Sequence, residues 1–232
     1  MPRTARKLDQ DLRDYPTYTI SEAATYLAIP RRTLYHWISD EPLWTTAGAG
    51  GEMQLLSFRD VAQAYFIEFI RKHVGITGRK AREILKSARL ETGARYPLLD
   101  KDIKVLFQHI LLDRPAKGSK PRHVVDLSQH RQLVMAEVVD LFATRIARNR
   151  TGEMQQIFPW RFYTQGDQSR PVSLNPDILS GQLVITGTRI PVRVAWARHR
   201  AGETLPALAK DYRLPEKTIS DALRHFALPK AA

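Results

Sequence analysis

The stretch Thr19–Ile38, TISEAATYLAIPRRTLYHWI, decides the fold, and Thr204–Leu223, TLPALAKDYRLPEKTISDAL, repeats it. Superposed without a gap, Ile20, Ala23, Ala24, Leu27, Ile29, Leu34, Trp37 and Ile38 fall on Leu205, Leu208, Ala209, Tyr212, Leu214, Ile219, Ala222 and Leu223. Thr19 meets Thr204, Pro30 meets Pro215 and Thr33 meets Thr218. This spacing describes a helix, a short turn and a second helix crossing the first. The small residues Ala24 and Ala209 stand where the two helices must approach closely. A helix-turn-helix of this kind lays its second helix in the DNA major groove.

In the first copy Thr19 and Glu22 have the spacing of a capping box, and Pro30 fits the first turn of the second helix. The exposed face of that helix is Arg31, Arg32, Thr33, Tyr35 and His36, hydrogen-bond donors and phosphate binders with no acid among them. In the second copy Glu216 replaces Arg31, Lys217 replaces Arg32, Ser220 replaces Tyr35, Asp221 replaces His36 and Arg224 replaces Ser39. Residues 30–39 therefore carry +2, whereas 215–224 carry two cations and two acids. Carboxylates oppose phosphate, so the first copy is expected to be the main DNA reader. Lys217, Thr218 and Arg224 are expected to read weakly, or to belong to a helical pair reused for contact with another chain.

Downstream, Leu43–Thr46, the glycine-rich Ala47–Glu52 and Met53–Ser57 predict a β-hairpin placed as a wing. The glycines lack a trailing Gly-Lys-Ser/Thr, which excludes a phosphate-cradling loop there. Ser57 opens a helix whose apolar residues Val61, Ala62, Tyr65, Phe66, Phe69 and Ile70 run towards a stop at Val74-Gly75, and Thr77 caps another. Between Arg71 and Arg95 lie eight basic residues and two acids, half of the chain's net charge of +12. Arg79 and Lys80 head this patch, which is expected to contact phosphates and make affinity salt-dependent.

The middle predicts a small α+β module. Ile103–Leu112 reads as strand or short helix, Arg114–Arg122 as a basic loop, His123–Leu127 as a strand and Leu133–Ile146 as an amphipathic helix. Asn149–Gly152 is a turn, Met154–Phe162 a strand and Thr164–Arg170 a polar linker. His109, His123 and His130 lack partner acids at ligand spacing and read as ordinary polar residues. Further on, Val172–Leu174 and Leu183–Ile185 predict short strands, Gly187 a turn and Pro191 a helix start. Arg189, in the Gly-Thr-Arg turn, is expected to hydrogen-bond a strand carbonyl.

The 232 residues hold 36 Lys and Arg against 24 acids, an excess that favours a polyanionic partner. Cysteine is absent, which excludes disulfides, thiolate chemistry and Cys-based zinc sites. No apolar run reaches the length of a membrane span, and MPRTARKLDQDLRD lacks the apolar core of a signal peptide. No nucleophile–base pair, metal spacing or acidic cluster points to catalysis, so an enzyme, a cofactor and a metal are not expected.

The order helix-turn-helix, glycine hairpin, LSFRDV helix and GITGRKAREIL resembles the winged DNA-binding domain of MerR-type regulators, carried above all by Leu27–Trp37 (LAIPRRTLYHW). Such domains commonly have glycine where Ala28 stands and a Ser or Thr cap where Pro30 stands. The runs NPDILSGQLVITGTRIPV and AGETLPALAKDYRLPEKTISDAL resemble a small bacterial domain of formerly unknown function with a GTRIPV signature, associated with antitoxins. Together these parts resemble one subfamily of VapB-type antitoxins over essentially the whole chain. The resemblance implies a cytoplasmic protein that neutralises a PIN-type ribonuclease toxin and represses its own operon. Binding to double-stranded operator DNA is expected from a homodimer, since half-sites follow two-fold symmetry.

The fold class expected is thus α+β and mainly helical. A winged helix-turn-helix spans 16–95, an α+β module 96–165, and the GTRIPV-signature domain with its own helix-turn-helix 171–228. The alternative function is a MerR-like ligand-responsive regulator without a toxin, its effector site in the middle module.

Overall fold

The hydroxyl of Thr19 accepts the Glu22 amide at 3.2 Å while the Glu22 carboxylate accepts the Thr19 amide at 2.9 Å, so both ends of the expected capping box are made. The computed structural model of the chain describes residues 11–40, 42–48, 54–75, 77–99, 140–162 and 167–227. The expectations for 103–112, 114–122 and 123–127, and for His109, His123 and His130, lie outside these residues. The architecture is α+β, with the described strands in three antiparallel two-stranded pairs.

From Thr19 runs α1 (Ile20–Leu27), followed by α2 (Arg31–Tyr35) and a π-helical turn over His36–Asp40. In the second repeat Thr204 caps α6 (Leu205–Tyr212), accepting the Ala207 amide at 3.3 Å, and α7 (Glu216–Phe226) follows. The two turns match in detail. Ala28 and Arg213 both adopt left-handed backbone, φ 53° and 54°. The Ile29 amide donates to the Ala24 carbonyl at 3.0 Å, and the Leu214 amide to the Ala209 carbonyl at 3.1 Å. The Pro30 and Pro215 carbonyls accept from Leu34 and Ile219, closing the first turn of α2 and α7. At Ala28 the conformation explains why related turns use glycine there: a Cβ is disfavoured at positive φ. The copies part company after α2, because the first chain path turns through His36–Asp40 whereas α7 continues as a helix.

Ser57 and Asp60 form a second capping box, starting α3 (Phe58–Val74), which ends at Gly75 with φ 71°. Val61 to Ile70 are buried on every face, so α3 is the central helix of the core rather than an amphipathic surface helix. Thr77 caps α4 (Gly78–Thr92), which stops at Gly93, φ 65°.

The hairpin expected over 43–57 is not formed as drawn. Strand β2 (Leu55–Leu56) pairs instead with β1 (Tyr18–Thr19), and 42–48 has no strand. Leu43, Trp44 and Thr46 are apolar or β-branched because they are buried covers of the core, which periodicity alone does not separate from a strand. The carboxylate of Asp60 organises this segment, accepting the Trp44 indole N–H at 2.8 Å, the Ala47 amide at 2.9 Å, both Ser57 donors at 2.9 Å and the Tyr96 hydroxyl at 3.1 Å. Gly48 passes so close to the Leu55 carbonyl that a Cβ would stand 2.5 Å from its oxygen. Burial and the Asp60 charge push the Tyr96 phenol up to about 12.

The expected helix 133–146 is described only from 140 and ends at 143, because Ile146 belongs to β3 (Ile146–Arg148). Strand β4 (Met154–Ile157) pairs with β3 around the Asn149–Gly152 turn, where the Asn149 side chain accepts the Thr151 and Glu153 amides. It stops five residues short of the expected Phe162; Pro159 has no N–H to continue a ladder. Ile157 then bonds reciprocally to Leu174 at 3.0 and 2.9 Å, joining this pair to β5 (Val172–Ser173) and β6 (Val184–Ile185). Arg145, fully buried, ties the region by donating to the carbonyls of Phe158 and Ser169. After Gly187, φ 77°, α5 (Val192–Arg200) begins with Pro191 as its N-cap.

The repeats sit against each other. The imidazole of His225, fully buried near the end of α7, faces the Tyr26 carbonyl of α1 at 2.8 Å through Nε2 and the Arg161 amide at 3.3 Å through Nδ1. A carbonyl only accepts and an amide only donates, so the partners fix the tautomer: Nε2 carries the proton. Tyr18 packs on the turn Leu179–Gly181, where a Cβ on Gly181 would stand 1.8 Å from the Tyr18 hydroxyl oxygen. Arg13, at the N-terminal side, reaches Glu153 beside β4 at 2.8 Å.

Candidate nucleic-acid interface

The apolar side of α2 fixes its polar side. Leu34 is buried and packs α2 onto α1, while Trp37 and Ile38 are buried in the following turn. That turn is held from two directions. Arg71 of α3 lies 5.1 Å over the Trp37 ring, and Gln54 donates to the Ile38 carbonyl at 2.9 Å while accepting from the Ser39 hydroxyl at 2.6 Å. Sequence reading missed Gln54 and Ser39, whose pairing is visible only once β2 lies beside the turn.

With the helix so held, Arg31, Arg32, Tyr35 and His36 are exposed and Thr33 is half-buried. Among the described residues no carboxylate pairs with Arg31 or Arg32, so both guanidiniums are available to an external anion. His36 stands 3.7 Å from Asp40, one turn on. Tyr35 is 45 % exposed, an aromatic ring offered to solvent beside two arginines.

The second copy is arranged differently. Lys217 reaches Asp221 at 2.6 Å, and Arg224 reaches the same carboxylate at 3.6 Å, so one acid occupies both cations. Arg224 also lies 4.7 Å over the Phe162 ring. Thr218 is half-buried. An outside phosphate would have to compete with these internal partners, at a cost of about 0–1 kcal/mol per pair because both cations are more than half exposed.

The basic patch is partly consumed too. Arg71 and Lys72 share Glu68 at 3.1 and 3.3 Å, Lys80 pairs with Glu83 at 3.2 Å, and Arg95 donates to the Thr45 carbonyl. Arg79 and Lys80 are exposed in the first turn of α4, separate in the chain from α2. Of the arginines before the second repeat, Arg198 is clamped by Glu203 and Asp211 at 2.6 and 2.5 Å. The Gly-Thr-Arg turn is held by Thr188, whose hydroxyl donates to the Ile185 carbonyl at 2.8 Å and accepts the Ile190 amide at 3.0 Å. Arg189 is exposed, so the carbonyl bond expected of it is made by its neighbour. Among the described residues no cluster of His, Cys, Asp and Glu has the makeup of a metal site, and no helix is long and apolar enough to cross a membrane.

Comparison with known proteins adds three findings. A solved structure, the X-ray crystal structure of Rv2018 from Mycobacterium tuberculosis, superposes with a TM-score of 0.67 at 24 % identity, covering 90 % of this chain and 98 % of that one, and shares the fold. A protein of Mycobacterium tuberculosis (strain ATCC 25618 / H37Rv), named as a candidate antitoxin, VapB45, is 27 % identical over 243 residues, spanning 94 % of this chain and 98 % of its own. Residues 172–225, from the first strand of the C-terminal part through the buried His225, match the model of the family described as a protein of unknown function, DUF433.

Proposed function

We propose that this chain is an antitoxin of VapB type, which neutralises a PIN-type ribonuclease and represses its own operon by binding double-stranded DNA. The observation that carries the DNA part is the contrast between two frames of the same geometry. One presents Arg31 and Arg32 without a carboxylate partner, while the other has Lys217 and Arg224 held by Asp221. In this reading 16–95 is a helix-turn-helix domain in the manner of MerR-type regulators, without the 43–57 hairpin as its wing, and places Arg31, Arg32, Thr33, Tyr35 and His36 in the major groove. Arg79 and Lys80 add phosphate contacts. Residues 96–165 form the middle module. Residues 171–228 form the GTRIPV-signature domain, whose Lys217, Thr218 and Arg224 contribute to DNA binding weakly if at all. A cytoplasmic homodimer matches the two half-sites of an operator.

The antitoxin part is supported by the likeness, across nearly all of both chains, to the protein named as a candidate VapB45 antitoxin. It is tested by sequencing the DNA flanking the gene for a PIN-like reading frame and co-expressing the two; the lack of such a frame contradicts the PIN-type assignment. The expected result is restored growth and co-purification of the two proteins. A chain that neither rescues growth nor co-purifies with that neighbour is not its antitoxin.

A further inference from the structure

A cavity of about 300 Å³ opens where the N-terminal helices meet the segment leading into the C-terminal part. Its lining combines the rings of Tyr65, Phe69 and Trp160, and the imidazole of His73, with Glu68, Lys72 and Arg161. The polar ends of two of the rings are occupied elsewhere. The Tyr65 hydroxyl donates to the Phe158 carbonyl at 3.1 Å, and the Trp160 indole N–H donates to Asp167 at 2.7 Å. Phe69 stacks on His73 at 4.1 Å and Trp160 on His225 at 6.0 Å, so these residues offer the cavity the remaining apolar faces and edges of their rings.

The charges do not balance. Glu68 is a single carboxylate shared by Arg71 at 3.1 Å and Lys72 at 3.3 Å. Arg161 donates to the Ala227 carbonyl at 2.8 Å and has no carboxylate partner among the described residues. Beside the cavity, burial above all, and then the positive charges of Arg161, Arg145 and Lys72, push the His225 imidazole down to about 4. A concave, aromatic-walled space with surplus cationic charge fits a flat organic anion.

We infer that this cavity is a binding site for a small aromatic carboxylate, its ring between Trp160 and the Tyr65–Phe69 pair and its carboxylate towards Arg161 and Lys72. The volume lies at the lower end of small-molecule pockets, which suits one or two fused rings and excludes a dinucleotide. Its position gives the site a consequence. Leu27, the residue after Tyr26, is part of the wall, and Arg161 supplies the amide that His225 accepts. A bound molecule touches both sides of the joint between the repeats. The inference rests on neither a toxin nor an operator.

The test is isothermal titration calorimetry of the full chain with 2-naphthoate and with its uncharged isostere 2-naphthamide. Naphthoate is expected to bind with a dissociation constant below about 1 mM, and the amide about tenfold more weakly, because only the acid makes charge-assisted hydrogen bonds. Arg161→Gln reduces that preference by weakening naphthoate alone. Lys72→Gln, at a side chain 47 % exposed and so compatible with folding, shifts naphthoate in the same direction. Absence of heat with either compound, equal affinity for both, or a preference unchanged in Lys72→Gln overturns the assignment.

Discussion

Asp60→Ala is expected to lower the unfolding free energy of the chain by about 3–5 kcal/mol, a large fraction of what an ordinary domain possesses. The carboxylate is fully buried and its two oxygens accept from Trp44, Ala47, Ser57 and Tyr96. Alanine leaves the Trp44 indole N–H and the Ser57 amide without acceptors in surroundings that water does not reach, and each such orphan costs on the order of 1–3 kcal/mol. It also removes half of the capping box that starts α3, worth about 1 kcal/mol by itself. Because Trp44 is one of the groups released, urea unfolding followed by tryptophan fluorescence reads the effect directly. Asp60→Asn should recover part of the loss only. One oxygen can still accept from Trp44 and Tyr96, but the new NH2 group meets the donors of Ala47 and Ser57. A loss below about 1 kcal/mol for the alanine variant would contradict the role given to Asp60.

His225 is expected to make the stability of the chain depend on pH between about 6.5 and 4. Its imidazole is pushed down to about 4, by burial first and by positive Arg161, Arg145 and Lys72, although the Tyr26 carbonyl works the other way. The depressed value means that the folded chain keeps the ring neutral while the unfolded chain protonates it near 6.5. The contribution is complete above that pH and is lost as the pH falls through the window, by roughly 3 kcal/mol in total. Protonation also places a hydrogen on Nδ1 against the Arg161 amide. His225→Gln removes the titration, so the stability difference between wild type and variant should shrink steadily from pH 7 to pH 4. Parallel curves for the two proteins would show that His225 does not titrate in this way.

Much of the fold was legible because it is written in local chemistry. Thr19 with Glu22, Ser57, Thr77 and Thr204 each cap the helix that the residue type and spacing predict. The gapless repeat was legible too, and it extends to the left-handed residues Ala28 and Arg213, neither of which is a glycine. What failed depended on distant partners. Leu43–Thr46 looks like a strand because buried residues of either kind are apolar, and nothing local tells that Leu55–Leu56 pairs with Tyr18–Thr19. The same holds for the interface. The exposed side of α2 follows from helical spacing, but the capture of Lys217 and Arg224 by Asp221 rests on rotamers that the sequence suggests only as a charge count. His225 carried no signal at all, since its partner is the main chain of Tyr26 at the other end of the protein.

The central claim is that one frame reads DNA and the other reuses its scaffold. It is tested most directly by measuring affinity for the chain's own upstream DNA at several salt concentrations, for wild type, Arg31→Ala/Arg32→Ala and Lys217→Ala/Arg224→Ala. Removing a side chain that neutralises one phosphate lowers the slope of log affinity against log salt by about 0.9, and removing one that reads a base edge costs about 1–3 kcal/mol. The account predicts that the first pair abolishes specific retention and flattens the salt dependence, while the second pair leaves both close to wild type. Equal losses from the two pairs, or a larger loss from the second, would contradict it.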